Sequence, residues 1–255
     1  MKDKIIFITG ATSGIGEGCA GKLASDGANL ILNGRNQDKL NELKVELEAD
    51  FGIEVLLLPF DVRDRERAKV AIESLEGKWK SIDVLVNNAG LVIGFDKEFE
   101  GVLEEWDIVI DTNIKGLLNI TRLVTPGMVQ RGVGHIINIG SIAGDAAYPG
   151  GSVYCATKAA VKTLSDGLRQ DLVDTPLRVT NIKPGLVETN FSVVRYRGDK
   201  DAADNFYKGI KPLSGSDVAE SVYFAASAPA HVQVAEILVL ATNQATSNVT
   251  YRAVR

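Results

Sequence analysis

Short, nearly continuous apolar runs alternate with longer amphipathic stretches along almost the whole chain. Residues 5–9, 29–33, 55–60, 84–87, 136–139, 179–182 and 237–240 are such runs. Their lack of polar alternation predicts strands buried on both faces. Between them, Leu40, Leu43, Leu47 and Phe51 recur at spacings of three and four, as do Val161, Leu164, Leu168 and Leu172. That period predicts helices with one apolar stripe. Strand followed by helix, repeated, implies parallel strands joined by right-handed crossovers. The expected fold is therefore α/β: a single doubly wound domain over residues 1–255, with a parallel sheet of about seven strands and helices on both faces, of the Rossmann type.

Two stretches break the pattern. Residues 188–216 mix Phe191, Tyr196, Phe206 and Tyr207 with Arg195, Arg197, Asp199, Lys200 and Asp201. A long insertion of this kind reads as a lid, the other reading being a solvated connector that carries two short helices. From Asn243 onward no period is visible, and the segment reads as a tail or an interface arm.

Composition narrows the function classes. Of 255 residues, 45% are apolar and 24% charged, a balance that supports a packed core and argues against wholesale disorder. With 28 Lys and Arg against 33 Asp and Glu, the formal net charge is −5, and no nucleic-acid partner is expected. Cys19 and Cys155 are too few for a disulfide framework or a four-ligand zinc site. His135 and His231 show no metal-ligand spacing, so no metal is expected; His135 opens the fifth apolar run. No apolar run approaches the ~18 residues that span a bilayer, and the first residues lack the pattern of a signal peptide. A cytoplasmic protein without a membrane partner is the expectation.

Candidate chemistry begins where the first run ends. Gly10-Ala11-Thr12-Ser13-Gly14-Ile15-Gly16 stands between a strand and a helix whose apolar face holds Ile15, Cys19 and Leu23. A Gly-rich turn there lets the backbone approach a phosphate, and the helix N-terminus supplies free N–H groups and a favourable dipole. Gly16-Glu17-Gly18-Cys19-Ala20-Gly21 also matches G-x-G-x-x-G, but it lies inside the helix; Gly18 and Gly21 read as close-packing positions. The second strand ends in Asn33-Gly34-Arg35-Asn36, with no acid before Asp38. An acid there suits the ribose of NAD, and an Arg suits the 2′-phosphate of NADP. Arg35, with Asn36 as a second donor, thus points to NADP, the plain alternative being a solvated loop Arg. Asp61-Val62 borders the adenine, or Asp61 only caps the next helix. Asn87-Asn88-Ala89-Gly90 offers small residues where a ribose must pass.

Tyr154 and Lys158 are four apart, one turn along the same helix face. A free Tyr, with a pKa of about 10, is a poor base near neutrality, and a neighbouring cation stabilises its phenolate. Ser141, just after the fifth run, is a hydroxyl able to orient a substrate oxygen, or merely a turn cap. Asn113 either kinks its helix and holds a water or faces solvent.

Taken in order, Thr9-Gly10-x-x-x-Gly14-x-Gly16, Asp61-Val62, Asn87-Asn88-Ala89-Gly90, Asn113, Ser141, Tyr154-x-x-x-Lys158 and Pro184-Gly185 resemble the short-chain dehydrogenase/reductase family over essentially the whole chain. The resemblance implies that Tyr154 is the acid–base and that Lys158 lowers its pKa and holds the nicotinamide ribose. It implies that Ser141 orients the substrate oxygen and that Asn113 positions a water for a proton relay. It also implies NADP contacts from Gly10, Thr12, Ser13, Gly14, Ile15, Gly16, Arg35, Asn36, Asp61, Val62, Asn88, Ala89, Gly90, Pro184, Gly185, Val187 and Thr189. The stretch 185–199 and Ala241-Thr242-Asn243-Gln244-Ala245-Thr246 are similar to a subgroup of NADP-dependent 3-hydroxy acid dehydrogenases, those acting on serine and allo-threonine. That likeness implies a small-molecule hydroxy acid or carbonyl substrate and a homotetramer. A hydroxy acid needs a cation for its carboxylate, and Arg195 and Arg197 are the candidates. The rival readings are a carbonyl or 3-oxoacyl thioester reductase, and a non-catalytic NADP sensor.

Overall fold

In the computed structural model, which describes residues 1–253, each of the seven apolar runs becomes a strand. They are β1 (Ile5–Ile8), β2 (Asn29–Gly34), β3 (Val55–Pro59), β4 (Val84–Asn87), β5 (His135–Ile139), β6 (Arg178–Pro184) and β7 (Glu236–Val239). All pair in parallel, in the order β3-β2-β1-β4-β5-β6-β7. The order reverses at β1, where β2 lies on one side and β4 on the other. The carboxyl ends of β1 and β4 diverge there and open a crevice.

Both faces of the sheet are covered, and alternate strand residues serve different layers. Ile6 and Ile8 of β1 face a core built with Cys19 and Leu23 of α1 (Gly14–Ser25), Leu40, Leu43 and Leu47 of α2 (Gln37–Phe51), and Val218 and Val222 further on. Ile5 and Phe7 face the opposite core, with Ala68 of α3 (Arg65–Glu73) and with Ile120, Val124 and Met128 downstream. The remaining helices are α4 (Leu103–Ile110), α5 (Leu117–Arg131), α6 (Ser152–Asp171), α7 (Asn190–Arg195), α8 (Lys200–Phe206) and α9 (Gly215–Ser227). A π-helical turn at Asp111–Gly116 joins α4 to α5.

Several expectations are corrected. Phe51 ends α2 exposed, because the chain turns away at Gly52 in the left-handed conformation. Leu164 and Leu168 of α6 are only half-buried; the deepest positions of that helix include Tyr154, Thr157, Lys158, Val161 and Ser165. Gly18 is a close-packing position: a Cβ there would fall 2.6 Å from the Gly215 carbonyl carbon, which lets α1 and α9 touch backbone to backbone. A Cβ on Gly21 would meet nothing within 4 Å, so that glycine has no packing reason. Residues 188–216 carry α7 and α8, and their last two residues already belong to α9. The C-terminal segment is tied to its own chain in part, with Gln244 buried, Tyr251 N–H donating to Asn243 (2.8 Å) and Ala253 N–H to Gly209 (2.8 Å), while Val249 and Tyr251 stay exposed, so the expectation of an interface arm stands untouched.

Candidate functional site

The crevice is a cleft of about 560 Å³ running from the β1–α1 turn to the segment 189–207. Its first end is stitched together by hydrogen bonds between distant strands. Thr9 Oγ1 accepts the N–H groups of Asn88 and Ala89, each at 3.0 Å. Asn88 Nδ2 returns to the carbonyls of Thr9 (2.9 Å) and Gly10 (3.0 Å). Gly10 and Gly14 hold φ of 64° and 61°, a region that side-chain-bearing residues rarely occupy. Ser13 caps α1 without a side-chain bond, so the first N–H groups of that helix are left for another acceptor. The caps of α2 and α3, by contrast, are closed by Asn36 and Asp64. A Cβ on Gly14 would come within 2.9 Å of Thr189, so the turn and the opposite wall meet closely. An uncapped 12-residue helix facing a Gly-lined cleft suits a pyrophosphate.

Thr12, Ser13, Gly14, Ile15, Arg35, Asp61, Val62, Asn88, Ala89, Gly90, Pro184, Gly185, Val187 and Thr189 line the cleft, together with Gly10, Ser141, Tyr154 and Lys158. Gly16, Asn36 and Asn113 do not. Gly16 lies beneath the turn, where a Cβ would strike the Gly10 carbonyl at 2.3 Å. Asn36 Oδ1 accepts Lys39 N–H (3.0 Å) and caps α2, which leaves the Nδ2 group as a donor. Asp61 is not the cap of α3, which is Asp64; it pairs with Arg63 (2.7 Å) at the cleft wall. Arg35 is exposed at the rim and makes no ion pair or side-chain hydrogen bond among the described residues.

At the chemical end, Tyr154 and Lys158 project from α6, and Ser141 from the end of β5. Ser141 Oγ accepts Ala143 N–H (3.0 Å), so the hydroxyl caps a short turn while also lining the cleft. Burial pushes the Tyr154 phenol well above its ordinary value, and the Ser141 hydroxyl works the other way. Burial also draws the Lys158 ammonium down to about 8. Its Nζ donates to the Ile139 carbonyl (2.8 Å) and stands 5.9 Å from the Tyr154 ring centroid. An ammonium on that side of the ring favours the phenolate over the phenol. Asn113 does not face solvent. Its Oδ1 accepts Leu91 N–H (2.8 Å), and its Nδ2 donates to Leu91 O (2.9 Å) and Thr157 Oγ1 (3.0 Å). The π turn around it is the predicted helix irregularity.

The far wall comes from α7 and α8. Tyr196, Phe206 and Phe95 form one aromatic cluster, with Phe95 and Tyr196 centroids 4.8 Å apart. Tyr207 hydroxyl bonds Ser192 and donates to Val187 O (2.8 Å), tying both helices to the segment after β6. The two arginines separate sharply. Arg197 points away and pairs with Asp96 and Glu105. Arg195 is buried and lines the cleft, its guanidinium 3.6 Å from the Phe95 centroid and 5.1 Å from that of Tyr148. Its Nε and Nη2 are buried with no hydrogen-bond partner among the described residues. Sequence reasoning missed Phe95, Gln244, Ser247 and Asn248 as cleft residues. Gln244 Oε1 accepts Leu186 N–H (2.8 Å), a contact of high sequence separation that no local period announces.

A family model described as short chain dehydrogenase matches residues 4–199. The chain is 45% identical over 241 residues to NADP-dependent 3-hydroxy acid dehydrogenase YdfG of Salmonella typhi, covering 94% of this chain and 96% of that protein. It is 43% identical over 253 residues to NADP-dependent 3-hydroxy acid dehydrogenase of Schizosaccharomyces pombe, covering 99% and 98%. Among solved structures it resembles the closed form of serine dehydrogenase complexed with NADP+, at a TM-score of 0.91 and 43% identity, covering 98% of this chain and 99% of that one.

Proposed function

Because the chain belongs to the short-chain dehydrogenase family, we propose that it is an NADP-dependent oxidoreductase that interconverts a small 3-hydroxy acid, of the serine or allo-threonine type, and the corresponding 3-oxo acid. The single observation that carries this reading is one cleft holding both Arg35 with the uncapped α1 terminus and Ser141 with Tyr154 and Lys158. When bound, NADP supplies the hydride acceptor or donor and, in its oxidised form, a positive charge beside the phenol. In oxidation, Tyr154 takes the hydroxyl proton of the alcohol, and in reduction it gives that proton to the carbonyl oxygen. Ser141 orients that oxygen by hydrogen bonding. Lys158 supplies a positive field favouring the phenolate, against the burial that opposes it. Asn113 serves the proton relay as a positioning residue, its side chain tying the π turn to Leu91 of the cleft wall and to Thr157, the neighbour of Lys158. Alignment of the reacting groups in one cleft supplies much of the acceleration.

The segment from about 188 to α9 serves as a substrate lid, a role supported by its aromatic wall over the cleft. That wall suits a small substrate better than a thioester on a long carrier. The intact Ser141, Tyr154 and Lys158 favour an enzyme over a sensor. Exposed Leu103 and Leu118 on α4 and α5, Phe224 on α9 and Leu238 on the edge strand β7 support a homotetramer. Two buried free thiols, Cys19 and Cys155, fit a reducing, cytoplasmic setting, and no described helix is long and apolar enough to cross a membrane. The test is NADP reduction followed by absorbance across serine, allo-threonine, other 3-hydroxy acids and simple alcohols. Hydroxy acids should be preferred, and equal rates with unrelated alcohols would overturn the substrate class.

A further inference from the structure

We propose that Lys183 is a positioning residue for the reaction: its ammonium, bonded to Asp145, sets where the Ser141 hydroxyl stands against the substrate oxygen. This inference rests on the dehydrogenase reading above and deepens it, since that reading gives Ser141 its part in the chemistry.

Lys183 is the next-to-last residue of β6 and only 6% exposed. A lysine is rarely so buried unless it is paired. Its Nζ meets both oxygens of Asp145 (2.9 and 2.8 Å) and one oxygen of Glu236 on β7 (2.8 Å). Burial opposes the charge, but the two carboxylates overcome it and hold the ammonium above its ordinary value. Such a group contributes little net stability, because the cost of desolvation offsets the attraction. What it supplies is a fixed geometry between three pieces of chain.

One of those pieces carries Ser141. Asp145 closes the 3₁₀ turn Ile142–Gly144 that Ser141 opens. Ser141 Oγ accepts Ala143 N–H (3.0 Å), Gly144 N–H donates to Ser141 O (3.1 Å) and Asp145 N–H to Ile142 O (3.0 Å). Hydroxyl and carboxylate thus stand at the two ends of one hydrogen-bonded turn. Lys183 holds the carboxylate end, and the carbonyl of the next residue, Pro184, lies 3.5 Å from Ser141 Oγ at the other. The turn also lies against α6, since a Cβ on Gly144 would fall 2.7 Å from the Lys158 carbonyl carbon. It is therefore fixed to two bodies at once, β6 through Lys183 and α6 through Gly144. Asp145 has no other side-chain hydrogen bond among the described residues, so without Lys183 its end of the turn is free to shift. Lys183, Asp145 and Glu236 do not line the cleft, whereas Ser141, Tyr154 and Lys158 do, so the clamp reaches the chemistry through the turn.

Wild type, Lys183→Met, Lys183→Arg, Asp145→Ala, Glu236→Gln and Ser141→Ala are assayed with NADP and racemic serine, and NADPH affinity is read by fluorescence titration. Lys183→Met should lower kcat by about 10–100-fold, the scale of a misplacement of about 1 Å, with KM and NADPH affinity within about threefold of wild type. Asp145→Ala should show the same loss, and Lys183→Arg should recover most of it. Glu236→Gln should stay near wild type, because Lys183 keeps both oxygens of Asp145. In the Ser141→Ala background, Lys183→Met should cost less than about threefold, since the hydroxyl it places is gone. An unchanged kcat in Lys183→Met, or a loss that persists in full without the Ser141 hydroxyl, overturns the proposal. If Ser141→Ala leaves no measurable turnover, or Lys183→Met does not fold, Asp145→Ala against Glu236→Gln decides: a loss confined to Asp145→Ala supports it, and equal losses or none overturn it. Wild-type turnover in Ser141→Ala sinks the role of Ser141 instead, and a wild type that oxidises neither serine nor any other 3-hydroxy acid sinks the dehydrogenase reading itself.

Discussion

Gly18 of α1 and Gly215 of α9 lie so close that a Cβ on the first would fall 2.6 Å from the carbonyl carbon of the second. The contact is backbone against backbone, so neither partner can give. Gly18→Val should force α9 away from α1 and destabilise the protein by about 1–3 kcal/mol. Gly21, one turn along the same helix, has open space at its Cβ position. Gly21→Ala should instead be neutral or stabilise by about 0.5–1 kcal/mol, since Ala favours a helix interior. Denaturant midpoints of the two variants check the contrast.

Tyr154→Phe removes the phenolic oxygen and keeps the ring, which packs against Phe191 at a centroid distance of 5.7 Å. Turnover should fall by about 10²–10⁴-fold, the usual share of a positioned acid–base. NADPH affinity, read by fluorescence, should stay close to wild type. Retained turnover would remove the acid–base role from this residue.

Arg35→Ala should weaken NADP by about 10–100-fold, the value of charge-assisted hydrogen bonds to a phosphate. NAD affinity should barely change, because Arg35 makes no ion pair or side-chain hydrogen bond within the described chain. Titration of both dinucleotides gives the answer, and equal losses would speak against a 2′-phosphate contact. Asn36 caps α2 through its Oδ1, so Asn36→Ala should cost about 1 kcal/mol of stability whatever it does to cofactor affinity.

His135 predicts a pH dependence. Thr180 Oγ1 donates to Val234 O (2.6 Å), so the 2.7 Å contact to His135 Nε2 is a donation from the ring. Nδ1 is then the unprotonated nitrogen, buried without a partner. Burial draws the imidazole down to about 3. Below about pH 6.5 the unfolded chain binds a proton that the folded ring refuses, so stability is present above that value and is lost as pH falls toward 3. The loss approaches about 1.4 kcal/mol per pH unit. His135→Gln should flatten the Tm decline between pH 7 and 5 relative to wild type. An unchanged decline would count against a buried neutral ring.

The parallel sheet was readable in the sequence because strands buried on both faces must be apolar throughout, and each of the seven runs became a strand within a residue or two. The Gly turn, Ser141, Tyr154 and Lys158 were readable because their positions follow from local spacing at strand ends and on one helix face. Arg195 and Arg197 could not be told apart, since they lie two residues apart in one aperiodic stretch; Arg195 closes α7 and Arg197 lies just beyond it. What separates them is Phe95 on one side and Asp96 with Glu105 on the other, about a hundred residues earlier in the chain. Gln244, Ser247 and Asn248 were missed for the same reason. Their segment has no period of its own and takes its shape from the cleft it covers.

Arg35 stands exposed at the rim, unsupported by any described side-chain bond, while the pyrophosphate end beneath it is locked by Thr9 and Asn88. On the proposed reading, recognition of the dinucleotide as such and discrimination between its two forms fall to separate parts of the protein. The first is inseparable from the folding of the sheet. The second hangs on one side chain that the fold does not use, so a lineage could alter its cofactor preference at this position without disturbing stability or the chemistry at Tyr154.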